Sequence, residues 1–389
     1  MNKAETKTLL DLLSEMPDHR IGNAIRHKLS DIVAIGILAI LCNADTFTGM
    51  QLFGEMHEDE LRQILELPNG IPSHDVFGDV FSRLNLEAVE KCFQLWVEGM
   101  KEALNQQKQG ETNTHVIAVD GKTIRRSQNA IHRASHIVTA YCSDMQLVLG
   151  QLCTEEKSNE ITAIPKLLDM LMIRGSTVTI DAMGTQTAIA EKIISKEADY
   201  ILALRENQPS LLEDIRFYAE NEVLPQSKAA LEVQGQYVCC IEKGHGRIDK
   251  RECWLIPDVT WLDGRERWKN LSGAAMIRST RTLKNSDETT AERYYIYSRS
   301  GLTAKEFLTM QRSHWAIENN LHWSLDMQFH EDDAHVRMGH AAVVLNMLRK
   351  LVMQMLKADT SVKGSMVSKR LRCCWRFDYA LSVLRNAGS

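Results

Sequence analysis

The chain lacks several features that would narrow its class at once. Its nine cysteines form no C-x-x-C pair, and Cys239–Cys240 and Cys373–Cys374 are adjacent in sequence. Adjacent cysteines suit neither a structural disulfide nor a zinc site, so reduced thiols in a cytoplasmic protein are expected. The apolar run Ile32–Cys42 is too short to span a bilayer, and Asp31 and Asp45 bracket it. A buried core helix is therefore expected there, and no membrane partner. Met1 to Lys7 is polar, with no small-residue cleavage site after an apolar stretch, so no secretory leader is expected. There is no excess of basic charge: the net charge is −5. That counts against a surface coated in DNA-binding cations, but it leaves room for local basic clusters. No internal repeat, low-complexity tract or H-E-x-x-H zinc motif appears.

What is present is an ordinary globular composition, 44% hydrophobic and 25% charged over 389 residues. Such a chain can bury a large core in two or three structural units. Residues 1–105 read as a helical domain, with apolar residues at helical spacing in Leu9–Leu13, Ser30–Cys42, Phe47–Met56, Glu58–Leu67, His74–Leu84 and Leu86–Leu104. The polar stretch Asn105–Thr114 reads as a linker. From His115 the period changes. Strands are expected over His115–Asp120, Ser135–Tyr141, Leu147–Cys153, Thr177–Asp181 and Tyr200–Leu204. Helices are expected over Ile161–Leu171, over Gln186–Lys196 and from Ser210. Residues 225–300 read as a β-rich insertion with four strands, and Thr303–Phe329 and His340–Lys357 as long helices. Residues 358–389 form a basic C-terminal segment.

Three acids stand out. Asp120 ends the apolar run His115–Val119, and Asp181 ends Ser176–Ile180. Each has a plainer reading as turn punctuation before glycine. Yet both cap strands expected to be parallel, where α/β sheets place their sites. Glu318 lies on a helix rich in His and Trp, with Gln311, His314, His322 and Leu325 at −7, −4, +4 and +7 on one face. Carboxylates from two strand ends and one helix can converge on hard divalent cations that drive phosphodiester chemistry. His314 and His322 could then hydrogen-bond a phosphate or position Glu318. Asp326, Glu331, Asp332 and Asp333 read as a solvated turn after the helix, with Asp332 the fallback third carboxylate. Three basic clusters could hold DNA: Lys122, Arg125 and Arg126 beside Asp120; Lys363, Lys369, Arg370, Arg372 and Arg376; and His19, Arg20, Arg26, His27 and Lys28.

The order of three strands, helix, strand, helix, strand, helix resembles the ribonuclease H-like fold. The fold class expected is α/β: a ribonuclease H-like core (residues 115–224 and 301–357) with the β-rich insertion, preceded by the all-α N-terminal domain. More specifically, the chain resembles insertion-sequence transposases of the DDE class, in the subgroup of H-repeat-associated proteins. The resemblance rests on Ile117–Lys122, Thr179–Met183, His314–Asp326, Phe329–Asp332, Asn346–Arg349, Pro17–Arg20 and Arg26–Leu29, and spans nearly the whole chain. It implies a catalytic, metal-binding triad of Asp120, Asp181 and Glu318. It also implies two Mg²⁺ ions, with Mn²⁺ as substitute, Asp120 bridging them. The partners implied are double-stranded DNA, as element ends and target, and further copies of the chain in a homodimer or higher multimer, associated with the nucleoid when bound. The N-terminal domain is a candidate for binding DNA ends. Related transposases often carry Tyr, Arg and Lys at −7, −4 and +7 from the catalytic Glu, where this chain has Gln311, His314 and Leu325. Phosphate contacts are then expected from Arg312, Arg337 or Lys122 instead. A catalytically degenerate, DNA-binding regulator and a structure-selective nuclease are the competing readings.

Overall fold

The computed structural model describes residues 7–18, 20–22, 25–107, 115–128, 133–154, 160–244, 246–283 and 288–386. His19 of the N-terminal basic cluster and most of the expected linker lie outside them. The N-terminal part is all helical: α1 (Leu9–Ser14), α2 (Leu29–Leu41), α3 (Phe47–Met56), α4 (Glu58–Leu61), α5 (His74–Arg83) and α6 (Leu86–Gln107). Of these, α2 is buried on all sides, as a helix that is apolar all round must be. Among the described residues no helix is long and apolar enough to cross a membrane. The helix expected over Glu58–Leu67 stops after about one turn. Pro68 disfavours helical backbone at Leu67, whose φ is 41° and whose amide instead donates to the buried Asp31 carboxylate at 3.0 Å.

The core follows as β1 (Val116–Thr123), β2 (His136–Cys142), β3 (Leu147–Thr154), α7 (Glu160–Asp169), β4 (Thr177–Ile180), α8 (Thr187–Ser195), β5 (Asp199–Leu204) and α9 (Pro209–Tyr218). Then come α10 (Lys228–Val233), β6 (Tyr237–Gly244), β7 (Arg247–Ile256), β8 (Gly273–Leu283) and β9 (Thr289–Tyr297). The chain closes with α11 (Ala304–His314), a π-helical segment Ile317–His322, α12 (Trp323–Phe329), α13 (Ala341–Ala358), α14 (Met366–Trp375) and α15 (Phe377–Asn386). Among the described residues the strands form one sheet in the order β3-β2-β1-β4-β5-β9-β8-β7-β6. β1 runs parallel to β4 and antiparallel to β2, and β4 parallel to β5. This is the α/β, ribonuclease H-like arrangement, with the all-helical part before it. The β-rich segment does not stand apart: β9 pairs antiparallel with β5, so the sheet continues through it.

The expected single helix over Thr303–Phe329 is broken. Ile317, Leu321, Leu325 and Phe329 are all buried and spaced by four. A regular α-helix turns every 3.6 residues, so a strict spacing of four drifts off its buried face. The wider π-helical turns keep all four side chains inward.

α13 is the shared spine, packing against α2, α5, α6 and β3. Two cations of the C-terminal basic cluster also act in the interior. Lys369 Nζ donates to the carbonyl of Leu356 at 2.8 Å, and Arg370 reaches the carboxylate of Asp45 and the carbonyl of Ile40. Both side chains are buried, so the expectation that they face DNA is corrected: they tie α14 to α13 and α2.

Candidate active site

β1 forms because Val116, Ile117 and Val119 are β-branched and buried. Its parallel pairing with β4 ends at Val119–Ile180, while its antiparallel pairing with β2 continues to Thr123. Asp120 thus stands within a strand, at the point where one neighbour has left. Gly121, expected at a turn, is paired with Val138. A Cβ there would lie 2.4 Å from Glu160 Oε1 and 2.5 Å from His136 Nε2, atoms of a buried hydrogen-bonded pair. Asp181 follows β4 directly, and its Oδ1 accepts the amides of Met183 and Gly184 at 3.1 and 3.3 Å.

The π-helical segment brings Glu318 and His322 over β1. His322 Nδ1 is 3.6 Å from Asp120 Oδ2 and 3.5 Å from Glu318 Oε2. His322 is buried, and Glu318 is half exposed. His314 is held elsewhere, its Nδ1 3.0 Å from Thr179 Oγ1 on β4. Asp120, Asp181, His314 and Glu318 line one cleft of about 590 Å³. Arg205, Arg216 and Arg293 line it too, and the sequence reading missed them, since the β9–β5 pairing that brings Arg293 there has no local signal. Trp315 is exposed in this cleft under the Arg293 guanidinium, 5.3 Å away.

Electrostatics follow from this crowding. Burial, then the neighbouring charge of Glu318, pushes the Asp120 carboxyl up to about 7. The His322 ring beside Glu318 holds that carboxyl below its usual range. Burial lowers the basicity of both His314 and His322, favouring neutral rings. One ligand atom each from Asp120, Glu318 and His322 lie within 4.8 Å of one another. Two carboxylates and a ring nitrogen so close fit a divalent metal ion.

Of the acids expected in a solvated turn, Asp333 is exposed, but Glu331 is not. Glu331 is wholly buried, and Lys122 Nζ donates to it at 3.1 Å and also to Asp326. Asn346 donates to the same carboxylate at 2.8 Å, and Arg349 lies 3.6 Å away. The desolvation of Glu331 is offset by these partners. Asp332 faces Arg125 at 3.3 Å, and Arg126 pairs with Asp333 at 3.4 Å. Arg312 pairs with Glu242 of β6 at 2.7 Å, and Arg337 donates to the carbonyl of Arg126 at 3.2 Å. Lys122 is therefore committed inside the protein, whereas Arg125, Arg126 and Arg312 sit in exposed pairs.

Comparison with known proteins fits this geometry. The family model described as Transposase DDE domain matches residues 111–355, and that described as DDE_Tnp_1-associated matches residues 10–97. The H repeat-associated protein YhhI of Escherichia coli (strain K12) is 36% identical over 392 residues, covering 99% of each chain. YbfL of the same organism is likewise 36% identical over 392 residues, covering 99% of each. A cryo-EM structure of the piggyBac transposase synaptic complex with hairpin DNA aligns at a TM-score of 0.43 and 10% identity, covering 98% of this chain and 77% of that one. That likeness is too distant to bear on the site.

Proposed function

Because the chain belongs to the family of transposases with a DDE domain, in its H repeat-associated subgroup, we propose that it cuts DNA at the ends of an insertion element and joins them to target DNA. The supporting observation is the meeting of Asp120 and Glu318 beside His322, in a cleft that also holds Asp181. DDE transposase domains generally use divalent metal ions, and Mg²⁺, with Mn²⁺ as substitute, suits carboxylates that leave room for water and phosphate oxygens. Asp120, Asp181 and Glu318 would together hold two such ions, Asp181 serving one and Glu318 the other. Ions bound there polarise the phosphodiester and allow water, or a DNA 3′-hydroxyl, to act as nucleophile at neutral pH.

The chain's own residues do the rest. The backbone amides of Met183 and Gly184 orient Asp181. His314, bridged to Thr179, fixes α11 over β4 and so sets the height of Glu318 above the sheet. Arg205, Arg216 and Arg293 offer positive charge to phosphates entering the cleft. At its margins Arg125, Arg126, Arg312 and Arg337 would exchange carboxylate and carbonyl partners for the phosphates of double-stranded DNA. Hydrolytic nicking and strand transfer would use the same carboxylates in turn, with a homodimer or higher multimer pairing two ends. Residues 1–105 are assigned to binding those ends, and the protein to the cytoplasm and nucleoid.

The test is cation-dependent nicking and joining on DNA carrying the element's own ends. Asp120→Asn, Asp181→Asn and Glu318→Gln should each reduce both steps about a hundredfold or more while DNA binding persists. Wild-type binding without any cleavage would instead point to a regulatory DNA-binding protein.

A further inference from the structure

Three carboxylates account for the proposed metal chemistry, but an imidazole stands beside two of them. We propose that His322 is a nitrogen ligand of the cation shared by Asp120 and Glu318, and that this site ranks Mn²⁺ above Mg²⁺. The inference rests on the metal-dependent reading above and sharpens it.

The geometry counts against two plainer roles for the ring. His322 is only 4% exposed, so it cannot reach a DNA phosphate outside the cleft. Its Nδ1 stands 3.5 and 3.6 Å from the two carboxylate oxygens, longer than an ordinary N–H···O hydrogen bond. It is therefore poorly placed to fix Glu318 by hydrogen bonding alone. Its Nε2 is buried with no hydrogen-bond partner, so no second bond anchors the ring in that role. Donor atoms about 2.1 Å from one ion lie roughly 3 to 4 Å apart, and these separations fall in that range. Asp181 is not part of the trio, and its Oδ1 accepts two backbone amides while Oδ2 is left for the other ion. Nitrogen thus enters one of the two proposed ion sites and not the other.

The consequence is selectivity. Mg²⁺ favours oxygen donors and gains little from imidazole, whereas Mn²⁺, although the weakest first-row divalent ion in affinity for such sites, is a transition ion that accepts a nitrogen ligand beside carboxylates. Replacing the nitrogen by an amide oxygen should then weaken Mn²⁺ more than Mg²⁺.

The experiment uses the full chain without DNA. Electron spin-echo envelope modulation of the Mn²⁺-loaded protein reads directly bound ¹⁴N, and calorimetry reads the affinities for Mn²⁺ and Mg²⁺. Wild type should show coupling to one imidazole nitrogen. His322→Asn should abolish it and lower Mn²⁺ affinity about tenfold or more, with Mg²⁺ affinity changed less than about threefold. His314→Asn should keep the coupling. Absence of ¹⁴N coupling in wild type overturns the proposal without any variant, and so does its persistence in His322→Asn. Should His322→Asn melt early, His322→Gln carries the same comparison. Asp120→Asn and Glu318→Gln separate the two levels. If they abolish Mn²⁺ binding and His322→Asn changes nothing, only the nitrogen ligand fails. If they too leave Mn²⁺ binding intact, the underlying metal site fails.

Discussion

Lys122 and Glu331 show how much of the site's geometry depends on residues that never touch a reacting atom. Asp120 and Lys122 are two apart on β1, so both side chains point to the same face of the sheet. Lys122 then anchors that strand to Asp326 and the buried Glu331, just beyond the helices that carry Glu318 and His322. Removing one partner of a buried charge network leaves the others uncompensated. Glu331→Ala should therefore lower unfolding stability by about 3–5 kcal/mol, and Glu331→Gln by less, because it can still accept from Asn346. Urea denaturation of the two variants checks the order, and equal losses would count against it. Gly121 is the second such residue. An alanine there must displace the His136–Glu160 pair, so Gly121→Ala should cost roughly 1–3 kcal/mol, read as a lower melting temperature.

At the scale of elements, the strands carrying Asp120 and Asp181 were legible because β-branched, apolar runs bounded by polar residues have few other solutions. Glu318 was legible as a helical carboxylate, but its path to Asp120 was not, because a 3.6-residue period was assumed across the whole helix. The sequence did hold the clue, in apolar residues at every fourth position from Ile317 to Phe329. What no local pattern could reveal is the sheet edge that β9 joins, since a strand's pairing partner depends on contacts distant in sequence. Burial of Glu331 was hidden for the same reason: its cations come from β1 and α13. The π-helical segment makes its own expectation. Inserting one alanine after Asn320 should turn Glu318 by about 100° relative to α12, the rotation one residue adds to a helix. We expect circular dichroism to be little changed while Mn²⁺ binding, followed by calorimetry, is lost. Retained binding would show that the phase of Glu318 relative to α12 has no part in joining it to Asp120.

At the scale of the whole molecule, the N-terminal helices, the sheet and α13 meet on one buried polar network. Glu90 of α6 accepts the amide of Gln151 on β3 at 2.9 Å, and Lys350 of α13 donates to Gln151 at 2.5 Å and to Thr139 at 2.8 Å. Thr139 is the residue opposite Asp120 on β2, so the network underlies the candidate site. Burial pushes the Glu90 carboxyl up from its ordinary 4.5 to about 7, and lowers the Lys350 ammonium from its ordinary 10.5 to about 7. The signs then differ. Between about pH 4.5 and 7 the folded chain holds a proton on Glu90 that the unfolded chain has released, so this group's contribution to stability falls as pH rises. Between about pH 7 and 10.5 the unfolded chain holds a proton that folded Lys350 has released, so its contribution climbs with pH. Together they set a local minimum near neutrality. Each limb can be isolated as a difference between wild type and variant in urea titrations at several pH values. Glu90→Gln should match wild type near pH 5 and exceed it by about 1–3 kcal/mol above pH 7, where the wild-type carboxylate is charged and buried. Lys350→Met should remove the alkaline climb and leave the acid limb in place. A wild-type-minus-variant difference that stays flat across pH for both substitutions would mean that neither group changes its proton affinity on folding. The joint between the helical part and the sheet would then rest on hydrogen bonds and packing that do not respond to pH.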